Sequence, residues 1–143
     1  MPTSEQKWIA DEVMLYCNKI HDSLDAVRIL LKGYNPNSWT GEFHKLSPVD
    51  LRDAIKSFAQ AARNNYGFLS EFIDAYGLHN VAAAMTSCGY DAQILKTKIE
   101  DMKNHADWIL SNADTAKSAD AITYLDSNVP AFAKVARRWA IGL

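Results

Sequence analysis

The sequence predicts a single all-α domain over residues 1–143, a helical bundle of about five to seven helices. Apolar residues recur at steps of three and four over long stretches, which is the helical period. No segment alternates with the two-residue period of a β-strand. The length of 143 residues and the 48% hydrophobic content suit one domain with a buried core. Three long helices, at 5–32, 48–76 and 91–112, dominate the prediction.

The first helix is predicted from a start signal, an apolar stripe and a stop signal. Thr3 and Gln6 have the spacing of a capping box, and Gly33 is well placed to end the helix. Trp8, Met14, Leu15 and Leu30 widen the stripe, so we expect more than one neighbouring helix to cover it. The stripe consists of Ile9, Val13, Tyr16 or Cys17, Ile20, Leu24, Val27 and Leu31.

A loop is predicted over 34–46, because the segment is rich in turn residues and longer than a usual helix connection. Its aromatic side chains, Tyr34, Trp39 and Phe43, either fold back over the core or are displayed to a partner. The sequence leaves both alternatives open.

The central helix, 48–76, has the strongest start signal in the chain. Ser47 can cap it, Pro48 fits its first position, and the Asp50 carboxylate faces the free N–H groups of the first turn. Gly67 is either tolerated inside the helix or divides it in two. The predicted inward stripe is Leu51, Ile55, Phe58, Ala62, Tyr66, Leu69, Phe72 or Ile73, and Tyr76.

Shorter elements follow. Gly77 ends the central pattern, Asn80 is predicted to cap a short helix over 81–88, and Gly89 to stop it. Asp91 is predicted to cap the third long helix, and Ser118 a short one. A last helix is predicted to begin near Pro130. The inward residues of the third long helix are Leu95, Ile99, Met102, Ala106 and Ile109, and those of the last helix are Phe132, Val135, Ala136 and Trp139.

Charge and cysteine content narrow the function classes. The formal net charge of −2 gives no global attraction to nucleic acid or to an acidic membrane surface. The polar N-terminus lacks the features of a signal peptide, and no run of 18 apolar residues exists. Cys17 and Cys88 both lie in helical patterns and are expected to be buried free thiols. We therefore expect an unprocessed cytoplasmic protein that does not enter a membrane.

No catalytic or cofactor signature is present, so we expect neither an enzyme nor a cofactor. The sequence lacks a nucleophile elbow, a zinc-protease motif and a phosphate-binding glycine loop. Two pairs have metal-ligand spacing along a helix, Cys17 with His21 and Asp101 with His105. A packed thiol beside a half-exposed histidine explains the first pair more simply, and we expect no metal site.

One segment carries a motif, NVAAAMTSCGYDAQILKTKIEDM at 80–102. It has a short helix, a turn glycine (Gly89), an apolar residue after it (Tyr90), and apolar anchors on a second helix. In these features it resembles a helix-turn-helix of small nucleoid-associated DNA-binding proteins. The resemblance implies that Gln93 reads adenine and that Lys96 and Lys98 touch phosphate. The same pattern is produced by a structural corner in any all-α domain.

Two functions remain. The first is a non-enzymatic interaction protein, such as an assembly, adaptor or inhibitory subunit, that binds a protein partner or a second copy of itself through helix faces and the 34–46 loop. The C-terminal group Arg137, Arg138 and Trp139 either docks on that partner or completes the core and the helix end. The alternative is a DNA-binding protein that uses 81–102.

Overall fold

A computed structural model describes the backbone of residues 2–34 and 48–113, and the side chains of 2–30 and 49–113. This part of the chain forms four helices: α1 (Ser4–Tyr34), α2 (Pro48–Tyr76), α3 (Leu78–Ser87) and α4 (Ala92–Asn112). It contains no strand, which confirms the all-α prediction for these residues. The loop 34–46 beyond Tyr34, the cap Ser47 and the helices predicted after Ala113 lie outside the described residues.

Helix α1 begins with the predicted capping box. The Thr3 backbone N–H donates to Gln6 Oε1 at 2.9 Å, and the Gln6 N–H donates to Thr3 Oγ1 at 3.1 Å. The predicted stop at Gly33 is wrong by one residue, since α1 continues to Tyr34. The buried residues of α1 are Ile9, Ala10, Val13, Met14, Cys17, Ile20, Leu24, Val27 and Leu30.

Helix α2 is continuous through Gly67, so the alternative of two helices is wrong. Its buried face differs from the predicted stripe at two points. Phe58 is 41% exposed, and Ala59 is fully buried in its place. A small side chain at a buried position of α2 lets a neighbouring helix approach where a phenylalanine would hold it apart. Tyr76, predicted inward, is also exposed.

Gly77 connects α2 to α3. Its N–H donates to the Ile73 carbonyl at 2.8 Å, and its carbonyl accepts from the Val81 N–H at 3.0 Å. Its φ of 86° is a backbone conformation that residues with a side chain rarely adopt. The predicted cap at Asn80 is therefore wrong, because the turn at Gly77 starts the helix earlier, at Leu78. The Asn80 amide instead donates to the Tyr76 carbonyl at 2.9 Å, a group left open by the end of α2.

The four helices pack so that α2 contacts all the others. Helix α1 runs antiparallel to α2, because Trp8 contacts Tyr76 while the later residue Tyr16 contacts the earlier residue Phe72. Helix α4 also runs antiparallel to α2, because Tyr66 is hydrogen-bonded to Glu100 while Arg63 forms an ion pair with Asp107. The Cys88 thiol lies 3.9 Å from the Gln6 carbonyl, which joins the end of α3 to the start of α1. The predicted inward residues of α4 are all buried.

The two cysteines are buried and free, as predicted. Burial raises the pKa of the Cys17 thiol well above its usual range, and it also raises the pKa of Cys88. Both thiols are therefore protonated and poorly nucleophilic at neutral pH.

Candidate functional site

The corner between α3 and α4 contains the turn glycine and the helix cap that the sequence predicts. Gly89 has a φ of 85°, and two hydrogen bonds end α3: Gly89 N–H to the Thr86 carbonyl at 3.0 Å and Tyr90 N–H to the Met85 carbonyl at 2.8 Å. This pair of bonds is a Schellman motif. Asp91 Oδ1 then accepts the N–H groups of Gln93 and Ile94 at 3.1 Å each, which confirms the predicted cap of α4.

The three residues predicted to contact DNA do not share one face of α4. Gln93 and Lys96 are exposed and three residues apart, so they lie on the same side of the helix. Lys98 follows Lys96 by two residues, a rotation of about 200°, and is partly buried. Lys98 is therefore separated around the helix from Gln93 and Lys96, with which the resemblance groups it.

A network of charged and aromatic groups joins α4 to α2 beside Lys96. The Tyr66 hydroxyl donates to Glu100 Oε1 at 2.8 Å, and Arg63 Nε lies 3.1 Å from Asp107 Oδ1. Partial burial, followed by the bond to Glu100, raises the pKa of Tyr66 to about 12. The hydroxyl is thus protonated at neutral pH and holds the Glu100 carboxylate in place.

His105 is buried on α4, and burial lowers its pKa. It is therefore neutral at pH 7. Among the described residues no group of three or more His, Cys, Asp or Glu side chains is arranged to hold a metal, and the Cys17–His21 and Asp101–His105 pairs gain no third ligand there.

An open cavity of about 280 Å³ lies where α2, α3 and α4 meet. Its floor is apolar and consists of buried side chains from three helices: Val13, Leu69 and Met85. Its mouth carries polar side chains, among them Gln93, Lys96 and Glu100. This site is not predictable from the sequence, because its lining residues come from all four helices and occupy positions that are ordinary core positions in each helix.

A second feature lies along the contact between α1 and α2. We call it the aromatic surface and define it as Trp8 and Leu15 of α1 with Phe68, Phe72 and Tyr76 of α2. Trp8 is 45% exposed, Leu15 45%, Phe68 53% and Tyr76 36%. Since successive residues of a helix are about 100° apart, Phe68 is about 200° from Ser70, which lines the cavity.

Ring contacts hold the aromatic surface together. The Trp8 ring centroid lies 5.7 Å from that of Phe72 and 5.4 Å from that of Tyr76, and the Phe72 and Tyr76 centroids are 4.8 Å apart. Tyr16 extends the group, with its centroid 6.3 Å from that of Phe72. The sequence signal for this surface was the excess of apolar residues beyond a single stripe on α1.

Comparisons with known proteins add no family to this description. No family model, no curated protein sequence and no solved structure matches the chain. None of the helices within 4–34 and 48–112 is long and apolar enough to cross a membrane. The predicted partner contacts Tyr34, Trp39, Phe43, Arg137, Arg138 and Trp139 lie outside the described side chains.

Proposed function

We propose that this chain is a non-enzymatic protein-interaction domain, an assembly, adaptor or inhibitory subunit, that binds its partner through the aromatic surface. The observation that carries the proposal is the exposure of Trp8 while its ring packs against Phe72 and Tyr76. Scattered exposed apolar side chains are normal, but a contiguous group is typical of an interaction site. Tryptophan and tyrosine are also the residues that most often dominate binding energy at interfaces.

The ring contacts favour binding for a further reason. Because Trp8, Phe72 and Tyr76 already pack against one another, they lose little conformational freedom when a partner covers them. An aromatic surface that is ordered before binding gives more affinity for the same buried area.

Charges around the aromatic surface indicate the chemistry of the partner. Glu5 and Glu12 flank Trp8 along α1, and Glu71 precedes Phe72 on α2. Two cations lie among them: Lys7 directly precedes Trp8, and Lys19 places its Nζ 5.8 Å from the Tyr16 ring centroid. The complementary surface is an apolar helix face or patch with charges of both signs at its rim, and a second copy of this chain is one partner to be tested.

The free thiols favour a reducing compartment, so we propose that the interaction takes place in the cytoplasm. The loop residues Tyr34, Trp39 and Phe43 and the C-terminal Arg137, Arg138 and Trp139 remain predictions as additional contacts. Their contribution is measured separately from that of the aromatic surface, by Trp39→Ala and Trp139→Ala variants in the binding assay described next.

Replacing Trp8 and Phe68 together with alanine should weaken partner binding by tenfold or more, because it removes two exposed rings from the surface. Sedimentation velocity at protein concentrations of about 5–200 µM, which span common interface affinities, tests self-association. Affinity capture from lysate, followed by titration of the purified partner, tests a heterologous complex. The free energy of unfolding of each variant is measured in parallel.

Phe58→Ala is the matched control, since Phe58 is an exposed phenylalanine of α2 outside the aromatic surface. It should leave binding unchanged. If the double variant sediments as the wild type does and retains every captured partner, the proposed surface is wrong.

DNA binding is the second candidate, and the Schellman corner at Gly89 is the observation that favours it. The exposed Gln93 and Lys96 are the residues of the predicted contact set that can act together. Two carboxylates on the same helix oppose it, because Asp91 lies at the N-terminal tip and Glu100 one turn beyond Lys96.

Titration of a labelled mixed-sequence duplex, followed by fluorescence anisotropy at low and moderate salt, measures this second function. On the interaction-domain proposal the titration stays flat at low salt. Micromolar binding that weakens steeply with salt, and that is reduced by Gln93→Ala and Lys96→Ala at unchanged stability, would place DNA binding first. Lys98→Ala, on the other side of α4, is the control.

A further inference from the structure

We propose that the cavity between α2, α3 and α4 binds a medium-chain aliphatic carboxylate. The cavity volume of about 280 Å³ is at the small end of ligand sites. At about 30 Å³ for each water-sized group, it has room for a chain of roughly eight to ten carbons. This inference concerns a different surface from the proposed protein interaction and does not depend on it.

The cavity exists because small side chains occupy the places where the three helices approach one another. Ser70, Ala82 and Ala92 line it from α2, α3 and α4 respectively. Larger residues at these positions would fill the space, as side chains do in an ordinary close-packed core. Below them the apolar floor of Val13, Leu69 and Met85 offers carbon contacts to a ligand chain and no polar partner to water.

The mouth of the cavity favours an anionic head group. Gln93 and Lys96 place an amide and an ammonium group there, and both are hydrogen-bond donors. The carboxylate at the mouth, Glu100, accepts the hydroxyl of Tyr66 at 2.8 Å and is drawn towards α2. A ligand carboxylate at the mouth would therefore meet Lys96 and Gln93, with its chain directed to the apolar floor.

Calorimetric titration with decanoate, at concentrations below micelle formation, tests this proposal on the whole chain. We expect saturable binding of one equivalent by the wild type. Ala82→Leu should reduce the affinity by tenfold or more, because the added side chain enters the cavity. Ala83→Leu is the matched control: Ala83 is the next residue of α3 and is exposed, so binding should be unchanged. Ala92→Leu blocks the cavity independently from α4.

The head group is tested with decanol and with Lys96→Gln. We expect the variant to lose about tenfold in affinity for decanoate and to bind decanol as the wild type does, whereas Lys98→Gln should change neither. The proposal is overturned if the wild type does not bind decanoate, or if Ala82→Leu and Ala92→Leu fold and bind it normally. Equal effects of Lys96→Gln on both ligands would overturn the carboxylate assignment. The double variant of Trp8 and Phe68 should bind decanoate as the wild type does. That outcome shows that carboxylate binding does not depend on the aromatic surface.

Discussion

Replacing Leu69 with alanine should lower the free energy of unfolding by about 2–5 kcal/mol. Leu69 is fully buried on α2, which packs against the three other helices as each of them does against the rest, and it forms part of the floor of the cavity. Its removal loses the transfer free energy of the side chain and enlarges a space that the neighbouring residues already leave open. Urea or guanidinium unfolding measures the change.

Phe68→Ala is the internal control for this prediction. Phe68 is adjacent in sequence but 53% exposed, so its removal should change the free energy of unfolding by about 0.5 kcal/mol or less. A loss at Phe68 as large as that at Leu69 would contradict the orientation of α2 and, with it, the definition of the aromatic surface.

Gly89→Ala should lower the free energy of unfolding by about 1–2 kcal/mol. An added Cβ at Gly89 meets no atom within 4 Å, so steric contact contributes nothing. The cost comes from the φ of 85°, which side chains rarely adopt and which the Schellman motif requires.

Gly67→Ala should act in the opposite direction. It also meets no atom within 4 Å, but Gly67 lies inside α2, where alanine is favoured over glycine by about 0.5–1 kcal/mol. The two variants should therefore differ by about 1.5–3 kcal/mol in the free energy of unfolding. Equal effects would show that the conformation at Gly89 is not fixed by the turn.

Helix ends that depend only on residues close together in the sequence could be predicted from it. The capping box of Thr3 and Gln6, the cap at Asp91 and the stop at Gly89 are each satisfied by residues within a few positions of one another. The stripe of α4 was also correct, because each of its members is apolar and no competing register exists.

Signals that depend on packing between helices could not be read in the same way. The choice between Phe58 and Ala59 depends on how closely a neighbouring helix approaches α2, and the spacing of apolar residues along the sequence does not give that distance. Asn80 is a good cap in isolation, yet the backbone bonds of Gly77 start α3 before it. A glycine destabilises a helix only slightly, so the presence of Gly67 in the sequence does not decide between one helix and two.

The two candidate sites were hidden for different reasons. Trp8 and Leu15 were recognised as exceeding one stripe, but their grouping with Phe68 and Tyr76 depends on the antiparallel pairing of α1 and α2. The cavity depends on small residues, Ser70, Ala82 and Ala92, that meet in space while lying far apart in sequence.

Helix α2 presents Phe68 to the aromatic surface and Ser70, about 200° away, to the cavity, so a single helix forms a wall of both candidate sites. If both proposed sites bind their ligands, α2 is the element through which their occupancies would be linked. Any factor by which a bound carboxylate changes the affinity for a protein partner must equal the factor by which the partner changes the affinity for the carboxylate. A shift or rotation of α2 would change both surfaces. The concentration of a carboxylate ligand and the binding of a protein partner would then be coupled through this helix.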